Sequence, residues 1–140
     1  MNKRKHIKTP PARSKGRFEV REENIPSRST NSLRPIFSFH HMPYGDEHSL
    51  TKCEPHVKSS VADTIVRLSQ LTWGRIVSEP REGLGCEKIP HNQFRVTLPE
   101  VITEEVPVLV FRHSDSGRIA GFRSRDIYHV ILIGDDLYNH

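Results

Sequence analysis

A chain of 140 residues can hold one domain with a proper core and a tail besides, yet a hydrophobic fraction of 34% places part of the length outside that core. Its 21 Lys and Arg against 17 Asp and Glu leave +4 overall, and no run approaches the roughly 18 apolar residues of a membrane span. There is no apolar leader and the two cysteines, Cys53 and Cys86, stand far apart, so the expectation is a reduced, cytoplasmic protein with no membrane partner.

The charge is unevenly spread. Residues 1–34 carry ten basic and three acidic side chains, a net +7, and the remainder carries a net −3. The few apolar residues of this first segment follow neither a helical nor a strand period, so it reads as a disordered basic tail. Lys3, Arg4, Lys5, Arg13, Lys15 and Arg17, together with Arg112 further on, are the candidate contacts to RNA phosphates. A solvated tail without a partner is the competing reading, and an organelle transit peptide a third. Residues 35–140 are expected to form a single α+β domain.

Within that domain, residues 35–41 (PIFSFHH) alternate as a first strand, and MPYGDEHS follows as a loop. Thr51 to Glu54 matches a capping box. Val57, Val61, Ile65, Leu68 and Thr72 then recur at helical spacing over about four turns. Trp73-Gly74 should end or kink this helix, with a short helical turn over residues 75–79. Residues 86–89 suit a short edge strand, residues 94–98 a further strand, and residues 100–105 an acidic connector.

The most β-prone stretch, Val106 to His140, reads as an antiparallel meander. Strand parity puts Ile127, His129, Ile131 and Ile133 on one face and Tyr128, Val130 and Leu132 on the other. Both faces are mostly apolar, so the strand should be central and covered on both sides, or on one side and by a neighbour's edge. Gly121, in mid-strand, predicts a bulge or a close approach. Gly117 supplies a residue tolerant of positive φ to the preceding hairpin loop. The expected fold is thus α+β: an antiparallel sheet of four or so strands packed against one or two helices.

His40, His41, His48, Cys53 and His56 cluster in sequence, and Cys53-x-x-His56 has ligand-like spacing. The second paired motif of a closed zinc site is missing, so these residues read as surface and cap groups, and no metal or cofactor is expected. There is no nucleophile elbow and no phosphate-cradling glycine loop. What remains is the cationic meander. Cleaving RNA without a metal needs a base, cations for the charge building on phosphate, and an acid. Arg118, Arg123, Tyr138 and His140 are the candidate catalytic set if the sheet gathers them, with Arg112 helping to hold phosphate. Binding without chemistry and purely structural roles compete with this, and His129, between Ile127 and Ile131, reads better as a hydrogen-bonded core residue.

A first strand, a helical segment, a loop and a three-run meander together resemble the RelE/YoeB/HigB-like toxin superfamily. The likeness is most local in GRIAGFRSRDIYHVILIGDDLYNH, Gly117 to His140. It implies a metal-independent endoribonuclease acting on ribosome-bound mRNA and kept silent by an antitoxin protein. Arg118 or Arg123 would stand for the family's phosphate-contacting arginine, and Tyr138 and His140 for its aromatic and proton-transferring terminal residues. Gly134-Asp135-Asp136 departs from the basic residue that many members carry after the last strand. The alternatives are a non-catalytic RNA- or ribosome-binding protein using the basic tail, and a protein-interaction module of the inhibitor or immunity kind using the acidic connector, Glu100 to Glu105.

Overall fold

The computed structural model describes residues 27–80 and 83–139. The expected disorder of residues 1–26, the phosphate contacts assigned to Lys3, Arg4, Lys5, Arg13, Lys15 and Arg17, and the role of His140 lie outside the described residues. Ser27–Ser32 forms a 3-10 helix. Residues from Asn31 onward belong to one compact unit, so the last residues assigned to the tail join the folded body, where Leu33 O accepts a hydrogen bond from the Trp73 amide (2.8 Å).

Five strands, β1 (Ile36–Ser38), β2 (Cys86–Ile89), β3 (Val108–Arg112), β4 (Arg118–Ser124) and β5 (Ile127–Gly134), and two helices, α1 (Pro55–Leu68) and α2 (Trp73–Ser78), make an α+β fold. The sheet order is β1-β5-β4-β3-β2. The expected meander is present, with β2 on its outer edge. The sheet is mixed, not purely antiparallel, because β1 runs parallel to β5 in the register Ile36↔Ile127. β5 therefore lies between two strands, and it is apolar on both faces because the sheet is covered on both sides there.

One face carries the helices. Val61, Leu68, Trp73 and Ile76 pack there on Phe111, Ile119, Tyr128, Val130 and Ile133. The other is covered by the connector between β2 and β3, whose Phe94, Val96, Leu98 and Ile102 meet Val108, Val110, Ala120 and Phe122. Residues 94–98 were expected to be a strand. They alternate inward and outward as a strand would, but lie on the sheet instead of extending it, leaving a single bridge from Phe94 to Tyr138.

The expected irregularity at Gly121 is both a bulge and a close approach. Ala120 pairs with Leu132 and Gly121 with Val130, so Ile131 is the extra residue on β5. A Cβ on Gly121 would stand 2.0 Å from His129 O and 2.9 Å from Tyr128 Cζ. The bulge overturns the simple parity of β5. Tyr128, Val130 and Ile133 all face the helices, while Ile131 and Leu132 both turn to the connector side.

Two local expectations are corrected. Thr51 and Glu54 form no capping box: Thr51 Oγ1 accepts from the Gly45 amide (2.9 Å) and Ser49 caps a separate 3-10 turn, Leu50–Lys52. Glu54 is the N-cap of α1 without a side-chain bond, because Pro55 at N1 holds Glu54 in extended backbone. Gly117 is not at positive φ; the residues that are, Gly45 (82°) and Arg125 (58°), lie elsewhere.

Replacing Gly121 by Ala should lower the free energy of unfolding by about 2–4 kcal/mol, since the added methyl meets backbone that cannot yield. Urea unfolding monitored by circular dichroism measures this, and an unchanged midpoint would contradict the packing described.

Candidate functional site

The four arginines of the meander have different destinations. Arg118 is 7% exposed, and its Nη1 donates to the carbonyls of Asp115 (3.1 Å), Gly117 (3.1 Å) and Ser114 (3.4 Å). It holds the β3–β4 hairpin loop from beneath. Arg112, its register partner, donates to the same Asp115 carbonyl (3.2 Å). Arg123 lies five residues along β4, about 17 Å at the strand rise, and alternation puts it on the helix face. Its guanidinium sits 4.2 Å over the Trp73 ring, with Nε donating to Arg125 O (2.7 Å) and Nη2 to Asn31 Oδ1 (2.7 Å). Arg125 forms the β4–β5 turn with Asp126.

Tyr138 is 2% exposed and packs against Phe94 (centroids 5.5 Å apart) on the connector-covered face. The chain's last segment is clipped to residues 93–95: Arg95 N donates to Leu137 O (2.7 Å) and Asn139 N to Gln93 O (2.8 Å), while the Arg95 side chain reaches Asp136 and Asn139. Arg118, Arg123 and Tyr138 thus occupy three separate environments, and the described residues do not bring them to one place.

What the fold does bring together is a cleft the sequence reading did not assemble. Its walls are the segment Glu47, His48, Lys52 and Cys53, the first turns of α1, the β3–β4 hairpin, and Gly134-Asp135 after β5, enclosing about 410 Å³. A second cavity of about 730 Å³ shares Glu47, His48 and Asp135 with it and adds Asp46, Arg95, Val96, Leu132 and Asp136. The two adjoin at these shared wall residues and together make a groove. No motif marks it, because its parts come from four sequence regions; the only hints were His48, Cys53 and His56, grouped as ligand-like.

At the cleft wall, Ser60 Oγ donates to His113 O (2.6 Å) and lies 2.9 Å from His113 Nδ1. Since the hydroxyl hydrogen goes to the carbonyl, Nδ1–H must donate to Oγ, which leaves the lone pair on Nε2. The ring lies where a Gly117 side chain would be: a Cβ there would stand 2.3 Å from Nε2. Room for this imidazole is what position 117 provides. Burial lowers the His113 pKa, and the neighbouring Arg118 charge lowers it further. The ring is therefore a neutral acceptor at pH 7. This polarity is the reverse of a Ser–His nucleophile, in which the imidazole takes the hydroxyl proton. The Cys53 thiol donates weakly to Ser49 O (3.6 Å), and burial raises its pKa despite Lys58, so it is not a thiolate. Among the described residues no three His, Cys, Asp or Glu side chains are arranged to hold a metal ion. Among them, too, no helix is long and apolar enough to cross a membrane.

Compared with protein-family models, curated proteins and solved structures, the chain matches none.

Two measurements follow. Arg118→Ala should remove about 2–4 kcal/mol of stability by stranding buried carbonyls and the hairpin they shape, read from urea unfolding. Histidine NMR should show His113 as the Nδ1–H tautomer, titrating below its ordinary 6.5. Because the folded value is depressed, its neutral ring supports the fold above pH 6.5 and that support fades as pH falls through the folded value. A ring titrating at or above 6.5 would refute the environment described.

Proposed function

We propose that the folded unit is a protein-interaction module whose groove docks a cationic segment of a partner protein. The observation that carries this is the charge of the joined cavities. Asp46, Glu47, Glu54, Asp135 and Asp136 line them against Lys52 and Arg95, and Arg95 is itself held by Asp136 at 2.6 Å. Such a lining repels phosphate and attracts lysine or arginine side chains. The neutral His113 Nε2 adds an acceptor, and the half-buried Val57 and Val96 offer apolar surface to the alkyl stems. Each exposed ion pair contributes only about 0.2–1 kcal/mol, so binding rests on several together and weakens with salt. A cytoplasmic setting belongs to the same proposal and suits the two free thiols, Cys53 and Cys86.

A second reading, the RelE-like mRNA endonuclease with its antitoxin, is favoured by one observation. The chain runs strand, helices, the short edge strand β2, then a three-strand meander, which apart from β2 is the order on which that resemblance rests. In this reading Lys3, Arg4, Lys5, Arg13, Lys15 and Arg17 supply salt-sensitive contacts to RNA or the ribosome.

The groove reading is tested with the full chain and an arginine- and lysine-rich peptide in fluorescence anisotropy. The expected result is binding that falls as salt rises and drops about tenfold or more when Glu47 and Asp135 are both changed to Lys, in line with the loss of two or more weak pairs. Binding that ignores this charge reversal would overturn the proposal. In a translating extract with mRNA ends mapped, new cleavage sites dependent on the protein would select the second reading.

A further inference from the structure

We propose that His40, His41 and His129 form a proton-sensitive latch, which holds the turn after β1 against the sheet at neutral pH and releases it in mild acid. This goes beyond the groove reading and does not depend on what the groove binds. Phe122 of β4 stacks on His129 of β5 with centroids 4.6 Å apart and planes at 21°. His41 continues the array, 5.1 Å from His129 and 5.8 Å from Phe122, and His40 lies 4.7 Å from His41. Three imidazoles are thus set against an aromatic ring that is itself 8% exposed and part of the core.

The decisive atom is His129 Nδ1, which is buried and has no hydrogen-bond partner. A bare lone pair is tolerated there better than an N–H, so the closed form selects the neutral ring with its hydrogen on Nε2. Protonation would put a donor in that position with nothing to accept it, and a charge within one ring's width of His41. Burial lowers the affinity of His129 for a proton, with His41 and then His40 adding to the effect.

Among the described residues no acid offsets this. The side chains around His129 are Phe122 from β4, His41 and His40 from the turn, and Ser38 from β1, its register partner; Ser38 Oγ accepts from the His40 amide (3.1 Å). Asp126, at the β4–β5 turn, acts on Arg123. The electrostatic influences on His129 are the two histidines alone.

The sign follows from linkage. The closed form holds protons less tightly than the open one, so the latch is secure above about pH 6.5 and loosens as pH falls below it. The element it releases is short. The turn is closed by Met42 N donating to Phe39 O (3.0 Å), whereas Leu50 N to Met42 Sδ (3.2 Å) and Ile133 N to His48 O (2.8 Å) tie down the chain beyond. Gly45 N donating to Thr51 Oγ1 (2.9 Å) and Ser49 N donating to Asp46 O (2.9 Å) anchor residues 45 and 46 as well, so motion is confined to residues 39–44.

Hydrogen exchange by NMR on the full chain tests the latch. Corrected for intrinsic rates, the protection of the Met42 amide should fall between pH 7 and pH 5, by about five- to tenfold for a depression of His129 by one pKa unit, while amides within α1 keep theirs. His129→Phe, which preserves the stack, should abolish the fall, and His41→Gln should reduce it. His113→Gln, at a distant depressed histidine, should leave it intact. Equal Met42 protection at both pH values, or an undiminished fall in His129→Phe, would overturn the proposal. Should His129→Phe fail to fold, His41→Gln and the wild-type ring titration decide: an undiminished fall, or His129 titrating at its ordinary 6.5, overturns it equally.

Discussion

The fold depends on one side chain being able to lie across a strand. Tyr128 is fully buried, springs from β5, and donates its hydroxyl to Leu109 O on β3 at 2.6 Å, passing over β4. It can do so because Gly121 has no side chain where the ring passes. Phe37, Trp73 and Phe111 surround the same ring with centroids 5.0–6.3 Å away. Strands β1, β3, β4 and β5 and the start of α2 are therefore fixed relative to one phenol, whose ionisation is pushed well up by burial. The bulge at Ile131 belongs to the same arrangement. Once β4 and β5 close on each other at Gly121, the extra residue has to leave the ladder.

The same economy explains where the cations went. An arginine near the end of a strand invites a functional reading, but Arg118 and Arg123 are held by backbone carbonyls, an indole and an amide oxygen. They brace the two ends of β4. What faces solvent at the open end of the sheet is acidic, and the groove there combines carboxylates with histidines. A surface of that kind selects positive charge, which is the physical ground for reading the body as a binder of basic protein segments.

Much of the architecture was legible in the sequence, because it is written in local pattern. The meander announced itself by β-branched runs separated by turn residues, α1 by its apolar spacing, and the special status of position 121 by a glycine in mid-strand. Three things were not legible. The parity of β5 after Ile131 depends on a bulge whose direction no single strand reveals. The parallel pairing of β1 with β5 joins residues at opposite ends of the domain. The destinations of Arg118, Arg123 and Tyr138 depend on neighbours contributed by the hairpin loop, by Trp73 and by Phe94, and none of these is signalled by composition. The groove was illegible for the same reason, since residues near 47, 56, 113 and 135 meet only in the folded chain.

The pairing of Ile36 with Ile127 also sets a timetable for biosynthesis. At the roughly 5–20 residues per second of translation, β1 leaves the ribosome about 5 to 18 seconds before the strand it lies beside. Throughout that wait Ile36, half-exposed even in the finished protein, belongs to a nascent chain with no sheet to join. β5, which joins β1 to the other three strands, is the last of the five to be made, so the sheet is completed only at the end of synthesis. Closure is a late event, and a chain stalled before β5 offers chaperones an incomplete sheet whose two flanks have not yet met.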